Sequence, residues 1–308
     1  MTFVRLRITA SLALDVADPW ALFRCRDRFF EAFRRQGACR SGDRCLTCSD
    51  APECPVPYLF SQELSVDADG AKRHQKPPLP FAFTFPLLPL LPNKGAKFCF
   101  ELTLVGAAVH YLARFVTVLP FLLDDGSQRG EGLTLEKIVS IGYFGEEQPL
   151  AWDAGAGVVT TPPILLTLTE LLASQGWGGE CLGLEFVTPV KLMRDGKAVR
   201  AFAASVFLRS LMRRVSSLAF HYCEAELHAD YKWLAVQSAT LGERCETMRW
   251  GAWGGTGRDE KLSGLLGTAV LKGGYEEFLP FLLAGEFLNV GKGASFGLGQ
   301  YRLRDCPR

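Results

Sequence analysis

The sequence predicts an α+β architecture of two tandem domains, on three observations. Val4, Leu6, Ile8 and Ala10 alternate with polar residues, as do Phe98, Phe100, Leu102 and Leu104, the two-residue period of half-buried strands. Apolar stretches with helical spacing lie between and after these strands. From residue 181 the chain reads as strand, helix, two strands, helix and strand. That order is the ferredoxin-like (RRM-like) one, so the expectation is two such domains, the first carrying a cysteine-rich insertion.

Bulk properties agree. The 308 residues are 48% apolar and 22% charged, with a formal net charge of +1, enough apolar matter for two cores and too balanced for a wholly basic nucleic-acid coat. The expected domains are 1–150, with the insertion at about 37–80, and 181–308, joined by linking loops at 151–180. The first runs from a strand at 3–10 to a helix near 20–36, with Trp20, Phe23, Phe29, Phe30 and Phe33 as its apolar face. After the insertion come a strand at 97–105 and a helix at about 107–123. Residues 124–180 read as loops and short strands. The second domain has a strand at 181–191, a hairpin turn at Arg194-Asp195-Gly196-Lys197, helices at 201–222 and 230–240, strands at 245–253 and 264–272, a helix at 275–288 and a last strand at 297–303.

Asp15 and Asp18 break the apolar N-terminus, prolines interrupt "FAFTFPLLPLLP", and His110, Arg114 and Pro120 fall within 107–123. No secretory signal or membrane partner is expected on these grounds, and the cytoplasm is the expected location.

The stretch "GEFLNVGKGASFGLGQYRL" carries unusual glycine density between the last helix and last strand. It is no P-loop, because five residues separate Gly285 from Gly291 and Gly293 follows Lys292. It is no dinucleotide fingerprint, because three residues separate Gly293 from Gly297 and a helix precedes it. On residues alone it is either a loop needing positive φ or backbone made bare to approach a sugar-phosphate chain.

With "SGLLGTAVLKGGYEEFLPFLL" before it, "LEFVTPVKLMRDGK", "LRSLMRRVSSLAFHY" and "FELTLVGAAVHYLARFV", this loop resembles the C-terminal region of the CRISPR repeat-RNA processing endoribonucleases of the repeat-associated RNA-binding (RAMP) superfamily. The resemblance is specific over 181–303 and weaker over the first hundred residues. It implies an endoribonuclease that cuts CRISPR precursor RNA within repeats by 2′-hydroxyl attack, without a catalytic cofactor, and keeps the guide RNA as its product. Repeat RNA, guide RNA and CRISPR effector subunits are the implied partners. A non-catalytic guide-RNA-binding subunit of an effector complex is the alternative; a zinc-knuckle interaction protein that binds no RNA is a third.

Two surfaces are expected to hold RNA: Gly291, Lys292, Gly293, Ser295 and Gly297 of the loop, and Arg209, Arg213 and Arg214, which share a face of the 201–222 helix with serines and no carboxylate. Guanidinium groups grip phosphate oxygens in pairs. Cleavage by the 2′-hydroxyl needs a base, an acid and a cation. His221, adjoining Tyr222 at the end of the arginine helix, is the first candidate and His110, near Arg114, the second; each also reads as a structural histidine. His74 lies in the basic stretch "AKRHQKPP", and His228 has acidic neighbours.

Cys39, Cys45, Cys48 and Cys54 stand as C-x5-C-x2-C-x5-C. Four sulfurs so spaced suit structural zinc that would brace the insertion, with an iron–sulfur cluster or unligated thiols as alternatives and disulfides disfavoured. The other six cysteines (Cys25, Cys99, Cys181, Cys223, Cys245 and Cys306) are scattered and read as buried thiols.

Overall fold

β1 (Thr2–Leu12) is the spine of the first sheet, and its alternation places Val4, Leu6, Ile8 and Ala10 in a fully buried row. The computed structural model describes residues 1–37, 39, 45, 48–49, 54–60, 77–88, 93–123, 131–153, 156–174, 176, 179–254 and 262–306. After β1 come α1 (Arg26–Gln36), α2 (Pro55–Phe60), β2 (Phe81–Thr84), β3 (Lys97–Val105), α3 (Leu112–Val118), β4 (Leu133–Ile141) and β5 (Glu147–Pro149). The sheet order is β2-β3-β1-β4-β5, with antiparallel neighbours throughout. This is the complete βαββαβ arrangement, more regular than the sequence suggested.

Two of its strands were hidden. β2 is four residues long between Pro80 and Pro86, so it reads as a proline-rich stretch. In β4, Glu136 and Lys137 are both exposed and the register against β1 shifts between Thr9 and Ala10, which erases the alternation. The helix α2 was also unforeseen in a segment expected to be loop. The stretch Gly106–Leu123, apolar and long enough to cross a membrane by length and composition, is helical throughout, with α3 between two 3-10 turns. It sets Leu112, Phe115, Leu119 and Leu122 into the first core.

The linking segment carries a hairpin of β6 (Trp152–Asp153) and β7 (Val158–Val159), then β8 (Leu166–Thr167), which pairs with β1, and α4 (Leu168–Ser174). The second half has β9 (Cys181–Val190), the hairpin β10 (Met193–Arg194) and β11 (Lys197–Ala198), α5 (Ala204–Cys223), α6 (Tyr231–Thr240), β12 (Gly242–Cys245), β13 (Arg249–Trp253), β14 (Leu262–Lys272), α7 (Leu279–Leu288) and β15 (Tyr301–Asp305). Its sheet runs β12-β14-β9-β15, with β13 also on β14. The expected hairpin turn is present, with positive φ at Asp195 and Gly196. The strand expected at 245–253 is two strands, and the last strand starts at Tyr301 rather than 297.

A further correction concerns the scattered cysteines. Cys181 and Cys306 form a disulfide across 125 residues, with Cα atoms 5.9 Å apart. β15 lies against β9 with Asp305 opposite Leu182, so the next residue in each direction comes face to face. Cys99 and Cys245 are exposed rather than buried.

Candidate nucleic-acid interface

The glycine-rich loop is built largely as a clasp between the two halves. Phe83 and Phe296 form a parallel bridge, Phe83 N–H donates to Ser295 O at 3.0 Å, and the buried Asn289 side chain donates to Phe83 O and Ala294 O. The Phe296 ring enters the first domain's aromatic core, 5.6 Å from Phe81 and 6.2 Å from Phe29. Gly297 has φ +85°, and a Cβ there would stand 2.9 Å from the Phe85 ring. Gly299 has φ +70°, and a Cβ would run into the Val290 carbonyl. These two glycines are required by packing against protein.

Arg214 secures the same seam. Its Nε donates to Leu288 O at 2.9 Å, and its Nη2 donates to Ser295 Oγ at 3.3 Å and Phe81 O at 3.5 Å. Burial lowers its pKa to about 10, against the raising influence of Tyr222. Arg214, Ser295 and Gly297, expected to face RNA, are thus turned inward. The helix wheel placed Arg214 on the polar side correctly, but protein from elsewhere in the chain covers that side. At the tip of the loop Lys292 and Gly293 are exposed and Gly291 half-buried.

Arg209 and Arg213 remain on the surface, one turn apart on α5. Arg209 Nη2 donates to Ala235 O at 2.9 Å, and among the described residues neither arginine meets a carboxylate. Between α5 and α6 lies a groove of about 500 Å³, with both arginines on its wall.

At the C-terminal end of α5 the two candidate histidines belong to elements that pack together. The 3-10 turn Gly106–Tyr111, carrying the exposed His110, abuts Tyr222 and Cys223, where a Cβ on Gly106 would collide with the Tyr222 carbonyl. His221 is half-buried, with its ring 5.1 Å from that of Phe220. Tyr222, expected beside it in catalysis, is buried against Tyr58 with ring centres 5.5 Å apart, and burial pushes its hydroxyl far above the usual range. It faces the interior rather than solvent. Tyr58 also meets Tyr111 at 5.5 Å, and burial first, then Tyr111, pushes it up to about 12. So α2, just after the four cysteines of the insertion, braces the junction that carries both histidines. His228 is exposed near the start of α6; His74 lies outside the described residues.

The four insertion cysteines gather around Cys45, whose thiol is raised by burial and then by the nearness of Cys39, Cys54 and Cys48. Among the described residues no three His, Cys, Asp or Glu side chains stand close enough to hold a metal ion. Four thiols suit zinc by their donor chemistry, but among the described residues they do not close into a ligand set.

A polar cleft of about 590 Å³ was not foreseen at all. Arg5 and Arg7 of β1, Arg302 of β15 and Glu286 of α7 line it. Glu101 and Glu147 pair with Arg5 and Arg7 at 2.6–3.2 Å, which blunts the cleft's positive charge. Glu286 accepts a hydrogen bond from Leu303 N–H at 2.8 Å, yet burial raises its carboxyl to about 7, against the lowering influence of that hydrogen bond, Arg5, Arg304 and Arg302. The only trace in the sequence was the polar half of the β1 alternation.

Residues 184–301, the span holding α5, the clasp and the loop tip, match the family model described as CRISPR-associated endoribonuclease Cas6, and residues 1–164 match a model for an N-terminal domain. Over those C-terminal residues the chain is similar to the CRISPR repeat-RNA processing endoribonucleases. Solved structures of Cas6 proteins share its fold over almost the whole chain. A Cas6 in a product complex is 18% identical over 99% of this chain and 100% of that one, with a TM-score of 0.54. Thermus thermophilus Cas6 is 15% identical over 98% of each chain, with a TM-score of 0.53. A partial Cas6-RT-Cas1–Cas2 complex is 13% identical over 98% of this chain and 46% of that one, with a TM-score of 0.58. No curated protein matches the sequence of this chain.

Proposed function

We propose that this protein is a metal-independent endoribonuclease that cuts CRISPR precursor RNA within its repeats and holds the mature guide RNA. The observation that carries the reading is the meeting of the His110 turn with the His221 end of α5, a helix whose exposed cations are Arg209 and Arg213. In the proposed reaction one histidine takes the proton of a 2′-hydroxyl, whose oxygen attacks the adjacent phosphorus. The bond to the 5′-oxygen breaks, and the other histidine gives that oxygen a proton. The products are a 2′,3′-cyclic phosphate and a 5′-hydroxyl. Arg209, Arg213 and Lys292 hold flanking phosphates, with the backbone of Gly291 and Gly293 beside Lys292. Repeat RNA is the substrate, and CRISPR effector subunits are the protein partners, a reading supported by relatives solved as a product complex and with Cas1 and Cas2. Structural zinc on Cys39, Cys45, Cys48 and Cys54 belongs to the same reading, supported by their spacing and their gathering around Cys45, and zinc analysis of purified protein tests it.

Purified protein incubated with a repeat RNA in EDTA is expected to leave those two termini, and His221→Ala and His110→Ala each to slow cleavage by about 10²–10⁴. Wild-type rates in both variants refute the catalytic assignment. Salt-dependent binding without any cleavage gives the alternative, a non-catalytic guide-RNA-binding subunit.

A further inference from the structure

The groove between α5 and α6 has a direction. Arg209 donates to Ala235 near one end, and Tyr231 lies beside Ser216 farther along, so the helices run antiparallel. Arg209 and Arg213 occupy one end, about 6 Å apart along the helix. Phe220, Leu227 and Tyr231 line the other, with Ser216 between. A cationic end and an aromatic end in one trough match the two parts of a nucleotide, a phosphate and a flat base. The volume of about 500 Å³ admits one nucleotide. Glu226 lines the aromatic end, where a carboxylate meets the hydrogen-bonding edge of a base rather than a phosphate.

We propose that this groove is a nucleobase pocket that receives one unpaired nucleotide of the RNA, its base against Phe220 and Tyr231 and its phosphates on Arg209 and Arg213. The inference rests on the RNA-binding reading above and adds a sequence-reading site to it. Phe220 adjoins His221, so a base seated there fixes the register of the strand beside the proposed catalytic histidine. Single-stranded segments are where sequence-specific RNA recognition is concentrated, because an unstacked base exposes its edges.

The test is equilibrium binding of a repeat RNA over a salt series. Ala235→Trp fills the groove without removing either arginine. It is expected to weaken binding about 5- to 150-fold, the span of one lost stacking contact, with the slope of log affinity against log salt unchanged. Phe220→Leu, which adds no bulk, serves where the tryptophan variant melts early. A scan with single abasic substitutions in the RNA should find one position whose loss weakens wild-type binding but leaves Ala235→Trp or Phe220→Leu no weaker. Wild-type affinity in a folded groove variant, or no abasic position coupled to it, overturns the pocket while leaving RNA binding standing. Absence of salt-dependent binding by the wild type overturns both.

Discussion

Replacing Glu286 by Gln makes a sharp test of the cleft's electrostatics. The carboxyl is mostly buried and is raised from 4.5 to about 7, so the folded protein holds this proton more tightly than the unfolded chain. Stability then falls as pH rises from about 4.5 through about 7, and above 7 the buried charge imposes its full cost. At about 1.4 kcal/mol per pH unit, the contribution is on the order of 3 kcal/mol. Glutamine keeps an oxygen for the Leu303 N–H and cannot ionise, so its own packing cost is the same at every pH. Urea unfolding of both proteins from pH 5 to pH 8.5 isolates the effect, because every other titrating group cancels in the difference. The variant should gain on the wild type by about 2.5 kcal/mol between the two ends. A difference that stays flat with pH would refute the argument, whatever its absolute value.

Three further outcomes are expected. Arg214→Met leaves the Leu288 and Phe81 carbonyls and the Ser295 hydroxyl without their donor, and should cost about 3 kcal/mol in chemical denaturation with the salt slope of RNA binding unchanged; Arg213→Met should lower that slope by about 1. Gly299→Ala places a methyl group on the Val290 carbonyl at a positive φ, and should lower stability by at least about 2 kcal/mol in thermal melts. Cys306→Ser opens a 125-residue covalent loop and should remove up to about 5 kcal/mol, while titration of unreduced, denatured wild-type protein should find two thiols fewer than after reduction.

What could be read from the sequence followed the range of its forces. The strand of alternating Val4, Leu6, Ile8 and Ala10, the aromatic α1 and, in the second half, β9, α5, α6, β14 and α7 are set by local periodicity, and so were legible. β2 was not, because four residues between prolines carry no period. The site divided along the same line. Arg209 and Arg213 answer to their own helix and stay at the surface, but Arg214 is governed by partners 74, 81 and 133 residues away, which a helical wheel does not contain. Ser295 and Gly297 were read as open backbone because the strand that covers them was itself hidden. The Cys181–Cys306 pair exists only through the register of β15 on β9.

The seating of Phe296 among Phe29, Phe81 and Phe83 has a consequence for synthesis. On the ribosome, the amino-terminal half emerges long before residue 296 is translated, so its aromatic core must wait with a vacant slot and an uncapped β2 edge. A nascent chain in that condition exposes apolar surface to whatever is near. The last helix and the residues just beyond it therefore act as a delayed keystone, so a ribosome stalled before that point would hold an unfinished first domain.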